Sequence, residues 1–160
     1  MNGSAGYQAI IATPLGCIGV RMSDKAVSAL DYLPAGTAEQ PPADAATEAV
    51  VAQLIAYFHD SLASFNVPLA PAGTAFQQRV WRGLKTIPAG TVLSYGELAR
   101  QLDTAPRAIG GACRSNPIPI LIPCHRVVSR QGLGGYAGEV EGELPGIKRW
   151  LLRHEGVAVE

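Results

Sequence analysis

The sequence has 160 residues, of which 48% are hydrophobic and 16% are charged. This composition excludes an intrinsically disordered chain and fits one compact domain or two small ones. Basic and acidic residues each number 13, so the formal net charge is zero, which argues against binding to nucleic acid through bulk charge alone. The charge is segregated, however, at −4 over residues 1–73 and +6 over residues 74–135. That pattern favours an anionic partner for the middle third, the alternative being a solvated helix face.

The cysteines are few and odd in number: Cys17, Cys113 and Cys124. Three thiols cannot form a closed disulfide framework, and none has the spacing of a zinc site. We therefore expect a reducing, intracellular setting, with no metal and no cofactor. The N-terminal residues lack the pattern of a signal peptide, and the apolar stretch Ile118–Ile122 is too short to span a membrane. The expected location is the cytoplasm, in association with the nucleoid.

The first third of the chain alternates between apolar and polar residues in short runs. The pattern predicts three strands, Tyr7–Ala12, Gly16–Met22 and Ala26–Leu33, in a small antiparallel sheet. A loop over residues 34–46 follows, and then a helix. The apolar stripe of that helix is expected to comprise Val50, Val51, Leu54, Ile55, Phe58 and Leu62.

A proline-rich and alanine-rich segment, Val67–Gly73, follows the first helix and coincides with the change of charge sign. It is the best candidate for a linker, so we place a domain boundary there, with one domain over residues 1–70 and another over residues 71–160. The resulting fold class is α+β.

The second domain is expected to be mainly helical. Its first helix has one apolar face formed by Phe76, Val80, Trp81 and Leu84. Ser94 and Glu97 fit a capping box that opens a helix ending near Leu102. A further helix is predicted over 105–115 after a short turn, and a last one over 146–155. Two short helices joined by a tight turn are typical of a helix-turn-helix, although such pairs also occur in proteins that bind nothing.

The stretch from Ile118 to Val128 carries the candidate chemistry. Its prolines exclude a helix, and its apolar residues favour burial, so we expect a rigid extended segment that ends at Cys124. The adjoining His125 and Arg126 are of the kind that lower a thiol pKa. Neighbours on an extended chain point to opposite faces, so either the chain turns there or a water molecule carries the proton between Cys124 and His125. Glu155 is the best candidate to orient the imidazole. The alternative is a buried, inert cysteine.

Several short motifs in the second domain are distinctive when taken together. They are Phe76–Trp81 (FQQRVW), Ile87–Gly90 (IPAG), Ser94–Gly96 (SYG), Arg107–Ala112 (RAIGGA), Asn116–Pro117 (NP), Pro123–Val127 (PCHRV), Gly135–Tyr136 (GY) and Trp150–Glu155 (WLLRHE). This set resembles the O6-alkylguanine-DNA alkyltransferases. The resemblance covers residues 74–156 closely and the N-terminal third only loosely.

The resemblance implies a fold, an activity and a partner. The fold would pair a small ribonuclease H-like α/β domain with a winged-helix-like domain that contains the helix-turn-helix. The activity would be DNA repair by irreversible, single-turnover transfer of the alkyl group from O6-alkylguanine to a cysteine, with O4-alkylthymine left open as a second substrate. The partner would be double-stranded DNA, bound in the minor groove with the damaged base flipped out. We expect a monomer in solution and leave cooperative assembly on DNA open.

The resemblance also implies roles for individual residues. Cys124 would be the acceptor, His125 the base acting through water and Glu155 the group that orients it, while Tyr95 would donate to the guanine. Asn116 would brace the turn before the active-site segment, and Arg107 would fill the space left by the flipped base. The implied DNA-contacting residues are Arg107, Tyr95, Arg114 and Ala105. The implied pocket residues are Val127, Tyr136, Ala137 and Cys113.

Three other functions compete with alkyl transfer. The first is a non-catalytic sensor of the alkyltransferase-like kind, which lacks the cysteine, whereas Cys124 is present here. The second is another helix-turn-helix regulator, which leaves the Cys124–His125 pair unexplained. The third is a thiol hydrolase with turnover, which needs an oxyanion hole that the sequence does not indicate.

Overall fold

The structure, a computed structural model, describes residues 6–129 and 143–159. Helices and an antiparallel sheet are both present, so the fold is a mixture of helix and sheet of the α+β kind. The chain divides into two compact units, one ending at Ala72 and the next beginning at Gly73. In the described residues, no helix combines the length and the apolar character needed to cross a bilayer.

The first unit is built on a three-stranded antiparallel sheet. Its strands are β1 (Ala9–Thr13), β2 (Gly16–Ser23) and β3 (Ala26–Leu33), and β2 lies in the middle. The pairing register shifts by one residue between Arg21 and Met22, which marks a bulge. The three strands predicted from the alternating pattern are thereby confirmed.

Helix α1 (Ala45–His59) packs on this sheet through one apolar face. Asp44 caps its N-terminus by accepting a hydrogen bond from the Thr47 amide at 2.8 Å. The predicted stripe is wrong at two positions, because Ile55 is 45% exposed and Leu62 is 74% exposed. The helix ends before Leu62, and Ile55 lies at the edge of the helical face that is buried. The buried residues of α1 are Thr47, Val50, Val51, Leu54 and Tyr57.

The second unit contains four α-helices in its described residues. They are α2 (Ala75–Leu84), α3 (Tyr95–Gln101), α4 (Pro106–Arg114) and α5 (Glu143–His154). The capping box predicted for α3 is confirmed, since Ser94 Oγ accepts from the Glu97 amide and the Glu97 carboxylate accepts from the Ser94 amide. A second capping box, not predicted, opens α2 between Thr74 and Gln77.

A buried tryptophan joins α2 to α4. Trp81 is 2% exposed, and its indole Nε1 donates to the Ala112 carbonyl at 2.9 Å. The turn between α3 and α4 is closed by a hydrogen bond from the Thr104 amide to the Ala99 carbonyl, with Asp103 in the left-handed region at φ 53°. This is the arrangement that commonly ends a helix. The turn holds α4 in contact with α3.

Two short strands were not predicted from the sequence. β4 (Leu93–Ser94) pairs in parallel with β5 (Val127–Val128), in the register Leu93 with Val127 and Ser94 with Val128. β4 runs directly into α3, and β5 directly follows the segment that carries Cys124. The pairing therefore holds the first residue of α3, Tyr95, beside that segment.

Gly90 is a position that favours glycine. Its φ is +87°, and a Cβ there would lie 3.2 Å from the Glu155 carbonyl oxygen. We expect Gly90→Ala to lower the free energy of unfolding by about 2 kcal/mol, from left-handed strain and this contact together. Gly36 is the matched control, because it has φ +88° but no atom within 4 Å of its added Cβ. Gly36→Ala should cost about 1 kcal/mol. Urea unfolding of both variants measures the difference, and equal losses would exclude a contribution from the Glu155 contact.

Candidate active site around a buried thiol

The segment that leads to Cys124 is a series of turns rather than the extended chain that we expected. The Ile122 amide donates to the Ile118 carbonyl at 2.9 Å, and the Cys124 amide donates to the Ile122 carbonyl at 2.8 Å. Ile120 has φ 73°, a conformation that β-branched residues rarely adopt, and it is 2% exposed. Burial of apolar side chains on both sides of the turns overrides the local extended preference of the prolines. The predicted burial of the segment is confirmed.

Cys124 begins a 3-10 turn that ends at Arg126, and its side chain is 6% exposed. Burial raises the pKa of the Cys124 thiol above its ordinary value, while a hydrogen bond from Asn116 and the positive charge of Lys148 act in the opposite direction. The expectation of a lowered thiol pKa is therefore wrong for this state of the protein. Its physical reason is desolvation, which disfavours the thiolate.

The side chain of Arg126 does not serve as the cation for Cys124. Its Nε donates to Glu155 Oε1 at 2.9 Å, and a terminal nitrogen donates to Glu155 Oε2 at 2.9 Å. Its other terminal nitrogen donates to the Ile87 carbonyl at 2.6 Å. Adjacent residues of a tight turn thus point to different partners, which the sequence spacing alone could not reveal.

His125 is fully buried and lies against the same carboxylate. Its Nε2 is 2.8 Å from Glu155 Oε2, and in the described part of the chain its Nδ1 has no hydrogen-bond partner. Burial lowers the pKa of His125, a shift that Glu155 opposes and that Arg126 and Lys148 reinforce. Burial thus favours the neutral imidazole over the imidazolium.

Asn116 connects the end of α4 to the turns before Cys124. Its Nδ2 donates to the Ile122 carbonyl at 2.8 Å, and its Oδ1 accepts from the Ile118 amide at 2.9 Å. The same side chain acts to lower the pKa of the Cys124 thiol, against the larger effect of burial. One amide side chain thus holds both ends of the turn that leads to the thiol.

We expect Asn116→Ala to lower the free energy of unfolding by about 2–3 kcal/mol, because the two partly buried backbone groups that it satisfies would lose their partner. Asn66→Ala is the control. Asn66 is exposed, and it shares hydrogen bonds with Gln53 through its own amide and side chain, so its replacement should cost less than about 0.5 kcal/mol. Denaturant titrations compare the two variants. Equal losses would mean that the Asn116 bonds contribute no more than surface bonds.

Lys148 is the residue of this site that the sequence analysis missed. It is 0% exposed, and its Nζ donates to the Val127 carbonyl at 2.7 Å. Burial lowers the pKa of Lys148 to about 8, although charges on Cys124 and Cys113 would raise it. The sequence held one signal for it: Lys148 precedes the buried Leu151 and Leu152 by three and four residues, which puts it on the inward face of α5.

Tyr95 lies at the start of α3, half-buried, with Lys148 Nζ 5.8 Å from the centre of its ring. Burial raises the pKa of Tyr95 to about 12, with smaller contributions from Cys113 and Cys124. The phenol is therefore protonated over the whole physiological range. Burial also raises the pKa of Cys113, far above that of an ordinary thiol.

Apart from Tyr95, which is half-buried in α3, the residues assigned to DNA contact lie on the surface of α4 or just before it. Arg107 and Arg114 are exposed, as is Ala105, the residue that precedes the helix. Between the two arginines, Gly110 and Gly111 have no atom within 4 Å of an added Cβ. Positions 107, 110, 111 and 114 share one helix face, opposite the buried Ile109 and Ala112.

Two of the four predicted pocket residues, Val127 and Cys113, lie among the residues that the structure describes. Val127 is buried in β5, and Cys113 lies in the last turn of α4. Tyr136 and Ala137 lie outside the described residues. A cavity of about 430 Å³ opens beside Tyr95, but Cys124 does not line it. The cavity is lined by Val92, Ser94, Gly96, Glu97, Arg100, Val128 and Ser129. Among the described residues, no cluster of three His, Cys, Asp or Glu side chains could hold a metal ion.

The fold and the site together define an α+β protein with a buried thiol, a carboxylate-bound imidazole and an exposed basic helix. A sequence model described as the DNA-binding domain of 6-O-methylguanine DNA methyltransferase matches residues 75–157. The chain belongs to this family.

Curated relatives carry a matching name. A methylated-DNA–protein-cysteine methyltransferase of Methanosarcina barkeri is 40% identical over 157 residues, which cover 93% of this chain and 96% of that protein. One of Shigella flexneri is 51% identical over 104 residues, which cover 62% of this chain and 58% of that protein. The chain thus spans less than two thirds of the Shigella protein.

Solved structures agree with the fold. The crystal structure of an O6-methylguanine methyltransferase from Mycobacterium tuberculosis has a TM-score of 0.78 at 40% identity, over 91% of this chain and 90% of that one. A second crystal structure, of the Mycobacterium tuberculosis OGT in complex with DNA, has a TM-score of 0.76 at 37% identity, over the same shares of the two chains.

Proposed function

We propose that this protein repairs O6-alkylguanine in DNA by transferring the alkyl group, once and irreversibly, to Cys124. The observation that carries the proposal is the grouping of Cys124 with a buried His125, whose Nε2 is bound by Glu155 and whose Nδ1 is unpartnered in the described residues. The names of the relatives support the same activity.

In the proposed reaction, Cys124 Sγ attacks the carbon of the alkyl group and forms a C–S bond. The bond between that carbon and guanine O6 breaks, and its electron pair stays with the base. The thiol proton passes through a water molecule to His125 Nδ1, and the guanine leaves as its anion. That anion takes one proton from water, and the proton held by His125 is returned to water, so no net proton is gained or lost. Activation at the moment of reaction by an adjacent base suits a thiol whose pKa is raised at rest. The thioether is stable, so each protein molecule acts once.

Two further residues would assist this step. Tyr95, protonated at physiological pH, would donate a hydrogen bond to the flipped guanine as negative charge develops on it. Lys148 would stabilise the thiolate, because its charge lowers the pKa of Cys124. Val127 and Cys113 would line the space that receives the base, together with Tyr136 and Ala137.

DNA would be bound through α3 and α4, acting as a helix-turn-helix. The exposed face of α4 supports this role, since its two arginines flank two glycines whose lack of side chains allows a backbone to approach closely. Arg107 would enter the duplex from the minor groove and occupy the space left by the flipped base. The DNA complex of the Mycobacterium tuberculosis protein supports DNA as the partner. As a finer fold assignment, we propose a ribonuclease H-like first unit and a winged-helix-like second unit.

The decisive experiment mixes the protein with a duplex that contains O6-methylguanine and records the intact mass. We expect a gain of one CH₂ unit per protein molecule, located on Cys124 by peptide mapping, and an unmodified guanine in the DNA. Tight binding to the lesion without a mass change would favour the sensor. Binding to DNA without preference for the lesion would favour a regulator, and release of alkyl product with turnover would favour a hydrolase.

We expect Arg107→Ala to weaken binding to lesion-containing duplex by about 10-fold or more, because the displaced base would no longer be replaced in the stack. Arg114→Ala should instead reduce the salt dependence of binding. The slope of the logarithm of the binding constant against the logarithm of the salt concentration should become smaller by about one, as for the loss of a single phosphate contact. Fluorescence anisotropy over a series of salt concentrations measures both. Arg153→Ala, an exposed arginine on α5, is the control. An unchanged affinity in Arg107→Ala would exclude its insertion into the duplex.

A further inference from the structure

Arg126 is a buried arginine whose hydrogen bonds have no role in the proposed reaction as described above. Arg126 is 9% exposed, and its guanidinium makes three hydrogen bonds, two to the carboxylate oxygens of Glu155 and one to the Ile87 carbonyl. The bidentate pairing with Glu155 restricts the carboxylate to one plane and one position. The bond to Ile87 fixes the guanidinium itself to the chain just after α2.

The same carboxylate is shared with the imidazole. Glu155 Oε2 lies 2.8 Å from His125 Nε2 and 2.9 Å from a terminal nitrogen of Arg126. An oxygen that accepts from a guanidinium is held as the ionised form, and an ionised carboxylate can only accept from His125. The proton of the neutral imidazole is then on Nε2, which leaves Nδ1 as an acceptor.

The charge of Arg126 has a second effect. The charged groups that act on His125 are Lys148 from α5, Glu155 directly after α5 and Arg126 from the same 3-10 turn. The thiol of Cys124 precedes His125 in the chain. Glu155 alone would stabilise the imidazolium, which cannot take a proton from a thiol. Arg126 offsets that negative charge and so favours the neutral ring.

We propose that Arg126 is a positioning residue for the transfer step: by binding both oxygens of Glu155, it fixes His125 as the neutral tautomer with its proton on Nε2 and its lone pair on Nδ1. The proposal rests on the proposed function for its effect on rate, but the state of the ring can be tested without any DNA. Arg126 acts through Glu155 and His125 and does not touch the alkyl group.

The first measurement is the ¹⁵N NMR spectrum of labelled wild-type protein. We expect the His125 ring to show a protonated Nε2 and an unprotonated Nδ1 at neutral pH. A proton on Nδ1, or a fully charged ring, would overturn the proposal whether or not the protein transfers alkyl groups. A wild-type protein that shows the expected tautomer but transfers no methyl group would overturn the proposed function and leave the tautomer assignment intact.

The second measurement compares Arg126→Gln and Arg126→Lys. In Arg126→Gln, the uncompensated Glu155 charge should raise the pKa of His125. The acid limb of the profile of transfer rate against pH should therefore move to higher pH by about one unit. The rate on that limb would fall about 10-fold and recover as the pH rises. Arg126→Lys keeps the charge and loses the bidentate geometry, so its limb should stay in place with a lower plateau. Arg153→Gln should change neither.

A purely structural role for Arg126 would lower the plateau in both variants without moving the limb, and that result would overturn the proposal. If Arg126→Gln does not fold, Arg126→Lys still tests it. A shifted limb in Arg126→Lys would contradict the requirement for a positive charge, and an unchanged plateau would contradict the requirement for bidentate binding.

Discussion

Replacement of Cys124 by serine is expected to reduce alkyl transfer by at least about 1,000-fold, to the background of the assay. A hydroxyl has a far higher pKa than a thiol, and it is a much weaker nucleophile in its neutral form. His125 could therefore not activate it to the same extent. The variant changes one atom of Cys124, a residue that is 6% exposed, so the fold and the binding of the lesion should persist. Intact mass after incubation with O6-methylguanine DNA measures transfer, and anisotropy with the same duplex measures binding.

The other two cysteines provide matched controls. Cys17 is buried in β2, and its sulfur lies 3.5 Å from the Thr37 carbonyl oxygen. Cys17→Ser should transfer at the wild-type rate. In wild-type protein the methyl group should be absent from Cys113, because the proposed base, His125, adjoins Cys124 and not Cys113. A methyl group on Cys113, or transfer that persists in Cys124→Ser, would show that the acceptor has been misassigned.

Replacement of Lys148 by methionine is expected to have the second large effect on the rate of alkyl transfer. The methionine retains most of the buried volume but removes the ammonium whose charge lowers the pKa of Cys124. Loss of one nearby opposite charge raises a thiol pKa by about one to two units, so the transfer rate at neutral pH should fall about 10- to 100-fold. Single-turnover kinetics against a methylated duplex measure the rate.

The pH dependence of this effect has a definite sign. The pKa of Lys148 is about 8, so the ammonium is present below that pH and is lost as the pH rises through it. The ratio of wild-type to Lys148→Met rates should therefore be largest at and below neutral pH and shrink above about pH 8. Lys85→Met, at an exposed lysine that follows α2, should leave the rate unchanged. A ratio that does not vary with pH would show that Lys148 contributes packing rather than charge.

Much of the local structure was readable from the sequence because it depends on neighbours in the chain. The period-two alternation over residues 7–33 predicted the three strands, and the Ser94–Glu97 pair predicted the start of α3. The errors came where the tertiary structure overrides local patterns. Leu62 fits the helical period of α1 but lies after its end, and the proline-rich approach to Cys124 folds into turns because its apolar side chains are buried.

The sequence by itself determined most of the helices, the three-stranded sheet, the family resemblance and the candidate for the reacting thiol, because these depend on residue types at short spacing. Only the tertiary structure decided which charged groups face that thiol. It directed Arg126 to Glu155, and it brought Lys148 to the site from α5, which follows Cys124 by about twenty residues. It also left Nδ1 of His125 as the unpartnered acceptor among the described residues. The physical reason is that the pKa of a buried group depends on desolvation and on charges within a few ångströms, and those distances are fixed by packing rather than by order along the chain.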